Sequence, residues 1–210
     1  MARFVSVLTV LLIAAIFQGQ AYSQDLRAKT EDGRPVILKN DGTWKFVDAK
    51  PAPGPAGAYR KSESAKSVYN VKGGKISFYF DPKKWKQEKS DEPNKARFEF
   101  REGDVYGMMI VERMSIPIST LREIALKNAK EAAPDVKIVN EENRTVNGVN
   151  ILCLQMDATI EGIKFTYYGY YYSGKSGSIQ LLTYTSQNLF KESLPEMTEF
   201  LNGLEVKESE

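Results

Sequence analysis

The sequence predicts an α+β protein, a twisted antiparallel sheet of about seven strands flanked by helices, preceded by a small N-terminal β meander. Two observations carry this. From Ser67 onward, β-prone runs are separated by turn dipeptides at Gly73-Gly74, Gly103-Asp104, Asn147-Gly148 and Glu161-Gly162. Two other segments, over 120–133 and 190–204, carry apolar residues at helical spacing on a single stripe, which has to be buried against a sheet.

Residues 1–23 read as an export signal. Arg3 precedes an apolar run from Phe4 to Phe17, broken only by Ser6 and Thr9 and shorter than the roughly 20 residues of a spanning helix. Small residues then stand at signal-peptidase spacing, Ala21 and Ser23 before Gln24 being preferred over Gly19 and Ala21 before Tyr22. No cysteine lies near the cut, so a lipoprotein anchor is excluded. Residues 24–48 follow as a meander of LRAKT, PVILKN and TWKFVD, separated by EDGR and by Asp41-Gly42, with Val36, Leu38, Trp44 and Phe46 expected to pack together. Over residues 28–47 this stretch resembles a short "DG..V.L..DGTW" segment at the mature N-termini of uncharacterised bacterial exported proteins, which implies no known activity. Residues 49–66 alternate proline with alanine and glycine and then turn polar, and they are expected to form a linker.

The main domain is expected over 67–206, with 207–210 as a tail. SVYNVK and KISFYF flank Gly73-Gly74 as a hairpin, and Asp81-Pro82 opens a turn or short helix through Trp85. ARFEFR alternates, with Ala96, Phe98 and Phe100 inward, while VYGMMIVERM is apolar on both faces and reads as a central strand. Thr120 and Glu123 have capping-box spacing for a helix over 120–133, whose buried stripe is Leu121, Ile124, Ala125, Ala129 and Ala132. Four strands follow, VKIVNEENRTV, VNILCLQMDAT, IKFTYYGYYYS and SIQLLTYTS. A closing helix carries Phe190, Leu194, Met197, Leu201 and Leu204, with Ser193 and Glu196 at capping-box spacing and Gly203 suited to C′.

Composition narrows the chemistry. The 29 Lys+Arg against 27 Asp+Glu leave a charge of +2, too balanced for a nucleic-acid binder. Histidine is absent and Cys153 is the one cysteine, which argues against zinc hydrolases, histidine-based triads, CxxC redox enzymes and disulfide scaffolds. Cys153 lies mid-strand between two leucines and reads as a small buried hydrophobe rather than an activated nucleophile. Glu141, Glu142, Asp157 and Glu161 are the carboxylates that could serve acid/base chemistry, but solvated hairpin edges explain them more simply. Met108, Met109, Met114, Met156 and Met197 fit gap-filling core better than a copper site, and Lys83, Lys84, Lys86 and Lys89 around Trp85 fit a solvated turn better than an anion patch. No cofactor is expected.

A strand ending in FDPKKW, the segment MSIPISTLREIALKNA, the NG hairpin before a long apolar strand, the tyrosine-rich strand with its GKSG turn and the closing LPEMTEFLNGL stand in an order that resembles the PsbP-like and DcrB-like superfamily over residues 67–206. The resemblance implies an α/β/α arrangement. It also implies binding rather than catalysis, because members of the superfamily act as extrinsic photosynthetic subunits, as a Ran-binding nuclear-transport factor or as envelope proteins of unclear role. The expectation is therefore an exported, non-enzymatic binding or accessory module of the bacterial envelope or secretome, whose partner is a protein or envelope component. The alternatives are an enzyme using carboxylate or tyrosine chemistry and a carrier of a small apolar ligand.

The candidate partner surface lies on IKFTYYGYYYS. Period-2 alternation puts Ile163, Phe165, Tyr167, Gly169 and Tyr171 on one face, assigned to the core, and leaves Tyr168, Tyr170 and Tyr172 as a partly exposed row on the other. The competing expectation is that a helix covers this second face too.

Export predicts a mature N-terminus at Gln24. Intact mass of secreted material should lack residues 1–23, and material that retains them contradicts the assignment.

Overall fold

A computed structural model describes residues 26–29, 35–39, 44–46, 59–71 and 75–207. The chain separates into two units, Met1–Ala49 and Lys50–Glu210. In the first, β1 (Leu26–Lys29), β2 (Pro35–Leu38) and β3 (Trp44–Phe46) form an antiparallel sheet in the order β1-β2-β3, and Val36 at its centre is buried. The segment read as an export signal and the turns expected at Asp41-Gly42 and Gly73-Gly74 lie outside the described residues.

The second unit holds β4 (Ser67–Asn70), β5 (Ile76–Phe80), β6 (Trp85–Glu88), β7 (Lys95–Phe100), β8 (Val105–Glu112), α1 (Ile118–Ala132), β9 (Lys137–Val146), β10 (Val149–Ile160), β11 (Ile163–Gly174), β12 (Gly177–Ser186), α2 (Phe190–Leu201) and β13 (Leu204–Val206). Seven strands make one antiparallel sheet in the order β6-β7-β8-β12-β11-β10-β9. Two meanders build it. The first runs β6 to β8, α1 then carries the chain to the far edge, and β9 to β12 return inward until β12 pairs with β8. Asn147-Gly148 and Glu161-Gly162 form the predicted tight turns, with φ of 47° and 88°, and of 50° and 82°, the left-handed pair that a type I′ turn demands.

The predicted α+β class holds, with one regrouping. β4 and β5 do not join the large sheet but form a second, three-stranded one with β13, in the order β13-β5-β4. The Asp81 turn exists, its side chain accepting the Lys83 N–H at 2.8 Å, but it leads into the edge strand β6 rather than a helix. Neither capping box forms. α1 starts after Pro117 and α2 after Leu189, both upstream of the predicted caps, and neither N-cap makes a side-chain hydrogen bond.

Both faces of the large sheet are used. On one, Leu121 and Ala125 of α1 cluster with Leu152, Leu154 and Tyr171, while Ala133 and Val136 cluster with Met156 and Ala158. Ile124 and Ala132, expected in that stripe, are exposed, and Arg122 is buried in their place. On the other face lie α2 and the small sheet. Phe200 of α2 sits 3.9 Å from the Trp85 ring, 4.7 Å from Phe78 and 5.3 Å from Phe98, centroid to centroid. Each such aromatic contributes about 1.5–3 kcal/mol by burial, and this cluster ties the helix, the small sheet and two strands of the large one together. The arrangement is α/β/α, with the small sheet sharing a layer with α2.

Residues 59–66, expected to belong to the linker, make contacts of their own, while 49–58 lie outside the described residues. From Tyr59 the chain lies on the second unit: the Asn147 N–H donates to the Tyr59 carbonyl at 3.0 Å, the Lys61 N–H donates to Asn147 Oδ1 at 2.9 Å, and Lys61 Nζ pairs with Glu205 at 2.6 Å. Ser64 adds a hydrogen bond to Glu199 at 3.2 Å. The polar residues that looked solvated by composition are the ones that make these contacts.

Gly203 marks the tightest passage. It is required by space, since a Cβ there would lie 1.8 Å from the Tyr79 carbonyl oxygen, while its own carbonyl accepts the Tyr79 N–H at 2.9 Å. Gly203→Ala should therefore cost about 3 kcal/mol or more, because backbone must move to admit the methyl group. Urea unfolding measures this, and a loss below about 1 kcal/mol contradicts the packing described.

Candidate functional site

The tyrosine strand β11 lies between β12 and β10, covered on both sides. Tyr168, Tyr170 and Tyr172 keep only 4%, 0% and 3% exposure. They belong to the core cluster that contains Met197, Phe200 and Leu201 of α2. The α2 layer covers them, so they do not form the partly exposed row that was expected. The face assigned to the core is the less covered at its start: Ile163 is 55% exposed and Tyr167 is half-buried, and burial deepens only toward Tyr171.

At the edge of this tyrosine row lies the most polar part of the interior. Strand alternation points Arg144 of β9 inward beside Val146, where its guanidinium is almost wholly buried. A buried charge needs partners. Glu142, two residues earlier on the same strand face, supplies the counter-charge: Arg144 Nε donates to its Oε1 at 2.8 Å, and Nη2 donates to the same oxygen. Nη1 donates to the Tyr170 hydroxyl at 3.1 Å, which in turn donates to Asn202 Oδ1 at 2.8 Å. Asn147, in the turn after β9, donates to the carbonyls of Asn202 and Leu204, both at 2.8 Å. Aromatic rings close the sides, with the guanidinium carbon 4.4 Å from the Tyr59 ring centre, 5.3 Å from Tyr168 and 5.7 Å from Tyr170.

Burial pushes the Cys153 thiol up to about 11, although Arg144 and Tyr168 pull the other way. At neutral pH the thiolate fraction is then on the order of one in ten thousand. Burial also holds the Tyr168 and Tyr170 phenols protonated well above their ordinary range. For Arg144 burial disfavours the charge, but the hydrogen bond to Tyr170 and the Glu142 carboxylate favour it, and the guanidinium stays protonated. The centre therefore acts as a polar clamp between the β9–β10 hairpin, the tyrosine strand and the end of α2.

The other candidates are dispersed. Glu141 and Glu142 are neighbours on a strand and point to opposite faces, Glu141 binding Arg122 of α1 through Nε and Nη2 at 2.8 Å each. Asp157 accepts from Thr166 and Gln187, both at 2.8 Å, and Glu161 occupies a turn. Trp85 is buried, while Lys84 reaches Glu196 and Glu199 at 2.8 and 2.7 Å and Lys86 reaches Glu88 at 2.6 Å. Met108 and Met109 face opposite ways, Met109, Met156 and Met197 are buried, and Met114 is exposed.

One surface was not anticipated. On the α1 side of the large sheet, Tyr106 of β8, Tyr184 of β12 and Tyr167 of β11 stand in cross-strand register, ring centres 5.3 and 5.5 Å apart. All three are half-buried, as are Met108 and Ile110 beside Tyr106. α1 packs over β10 and β11 and leaves this side of the sheet open. Exposed Arg97 and Glu99 of β7 form its outer rim. Alternation within VYGMMIVE carried the signal, since it puts Tyr106, Met108 and Ile110 on one face, but pairing with Tyr184 depends on strand order.

Comparison with known proteins agrees with the geometry. The chain is similar in structure to cyanobacterial PsbP (CyanoP) from Synechocystis, with a TM-score of 0.50 at 13% identity over 69% of this chain and 94% of that one. Lower scores are found with the Ran-binding protein Mog1p of Saccharomyces cerevisiae (0.46, 6% identity, 65% and 87% covered) and with LpqN of Mycobacterium tuberculosis, described as involved in cell envelope biogenesis (0.39, 12% identity, 75% and 90% covered). No protein-family model and no curated protein matches the sequence. The likeness is one of fold: the second unit has a PsbP-like fold. Among the described residues, no helix is long and apolar enough to cross a membrane.

Two substitutions separate clamp from surface. Tyr170→Phe leaves Arg144 Nη1 and Asn202 Oδ1 short of a partner and should cost about 1–3 kcal/mol. Changing Tyr168, Tyr170 and Tyr172 together to Thr should abolish cooperative unfolding at 25 °C, because about 3–5 kcal/mol per ring, about 9–15 kcal/mol for the three, is as large as a typical domain's whole stability of about 5–15 kcal/mol. A folded triple variant would contradict the burial.

Proposed function

We propose that the chain is an exported, non-enzymatic binding or accessory module of the bacterial envelope or secretome, and that it docks its partner through the open side of the large sheet at Tyr106, Tyr167 and Tyr184. The half-exposed tyrosine ladder carries this reading. Stacked tyrosines on a rigid sheet present amphipathic area with little side-chain entropy to lose, the composition that recognition surfaces favour. Met108 and Ile110 extend the ladder into an apolar strip. The rim is charge-balanced, Lys86 lying 3.9 Å from Glu99 and Arg97 3.6 Å from Glu92, which suits a protein with its own apolar stripe rather than a polyanion.

The apolar run over 4–17 followed by Ala21 and Ser23 before Gln24, read as an export signal, supports the envelope assignment. The polar centre around Arg144 supports a non-enzymatic reading, since its thiol and phenols are held protonated and its charge is matched by Glu142.

Tyr106→Ser with Tyr184→Ser should leave the urea midpoint within about 1 M of the parent, because both rings are only half-buried. The pair should abolish crosslinking of a photoreactive residue at position 108 to an envelope protein. Crosslinking that persists undiminished in a folded double variant overturns the docking assignment.

A further inference from the structure

We infer that Tyr59–Lys66 is a releasable strap, which opens without global unfolding and thereby controls access to the Arg144 and Cys153 centre. Two sets of observations carry this. The first is how the strap is attached. None of its eight residues is buried. Among the described residues its ties are a single parallel bridge from Tyr59 to Val146, the two backbone-donor hydrogen bonds with Asn147, the Lys61 ion pair with Glu205, the Lys61 ammonium 3.6 Å from the Tyr79 ring centre, side-chain hydrogen bonds of Ser62 and Ser64 to Glu199 and of Ser64 to Asp81, and the Tyr59 ring itself, half-buried against Arg144 and the core. Half-exposed ion pairs and isolated hydrogen bonds each contribute about 1 kcal/mol or less. A segment held this way sits at the low end of a domain's range of opening free energies.

The second is what the strap covers. The Tyr59 ring is the outer wall of the Arg144 site, and it packs on the core cluster that includes Cys153, Tyr168 and Tyr170. The remaining walls come from β9, β10, β11 and the end of α2, long paired strands and a helix that do not move without loss of the core. Among the described residues, Tyr59 is thus the wall of the polar centre that is built on a weakly tied element.

Cys153 is the reporter, a thiol 2% exposed whose labelling requires something above it to move. In the full chain without denaturant, an aromatic disulfide reagent should label Tyr59→Ala at least tenfold faster than the parent, while Tyr59→Phe, which keeps the ring, labels at the parental rate. Urea unfolding of the same variants supplies the control. Acceleration of Tyr59→Ala no greater than its loss of global stability accounts for, or no acceleration, overturns the inference. Should Tyr59→Ala fail to fold, amide exchange in the parent decides. The Lys61 and Asn147 amides, which close the strap, should exchange at least tenfold faster than hydrogen-bonded amides within β10 and β11, and exchange at the same rate as those amides overturns the inference.

Discussion

Burial of the paired strands β11 and β12 on both faces is the constraint from which the rest of the second unit follows. Along β12, side chains from Gly177 to Thr183 are buried without interruption, and β11 is buried from Tyr168 to Tyr172. A strand pair of this kind is unstable with either face in water, so it requires a layer on each side. α1 supplies one, over β10 and β11. α2 and the three-stranded sheet supply the other, locked by Phe200 against Trp85, Phe78 and Phe98. Among the described residues the crossover helix α1 covers only part of the sheet's width, and the tyrosine ladder stands where that cover ends.

Placing a guanidinium beside this apolar interior has a cost that the local structure offsets in stages. Glu142 neutralises it, Tyr170 and Asn202 extend the hydrogen bonding to the end of α2, and three aromatic rings shield it from water. Such networks are costly when incomplete, which gives the site positional specificity: β9, β11, the Asn147 turn and the end of α2 must all arrive in register. A second buried arginine, Arg122, is satisfied less fully. Two of its nitrogens bind Glu141, and Nη1 finds no hydrogen-bond partner among the described residues.

Local rules were legible where one residue type enforces one backbone state. Asn147-Gly148 and Glu161-Gly162 were readable because a two-residue hairpin turn needs positive φ twice. Ala96 and Phe98 were readable because the polar residues of their strand occupy every alternate position. The helix stripes were readable in outline, yet Arg122 replaced Ile124, since Glu141 on the neighbouring edge strand offered a counter-charge that no helical wheel contains. The capping boxes failed because both helices begin ahead of the Thr120 and Ser193 signals, α2 at Phe190, which packs on the core, and α1 at the exposed Ile118 after Pro117.

The α+β class, the Asn147-Gly148 and Glu161-Gly162 turns, most strand positions and the lack of histidine follow from the sequence alone, because they depend on composition, on period and on backbone conformations that few residues tolerate. Only the tertiary structure decided which face of each strand is covered. Period-2 alternation sorts Tyr168, Tyr170 and Tyr172 from Tyr167 and Tyr171 but assigns neither set to water, and the position of α2 buries the first. Strand order brought Tyr106, Tyr184 and Tyr167 together from three separate strands. In the same way Tyr59, solvated by every local criterion, became a wall of the polar centre, because Arg144, 85 residues further along the chain, offered its ring a cation to stack on.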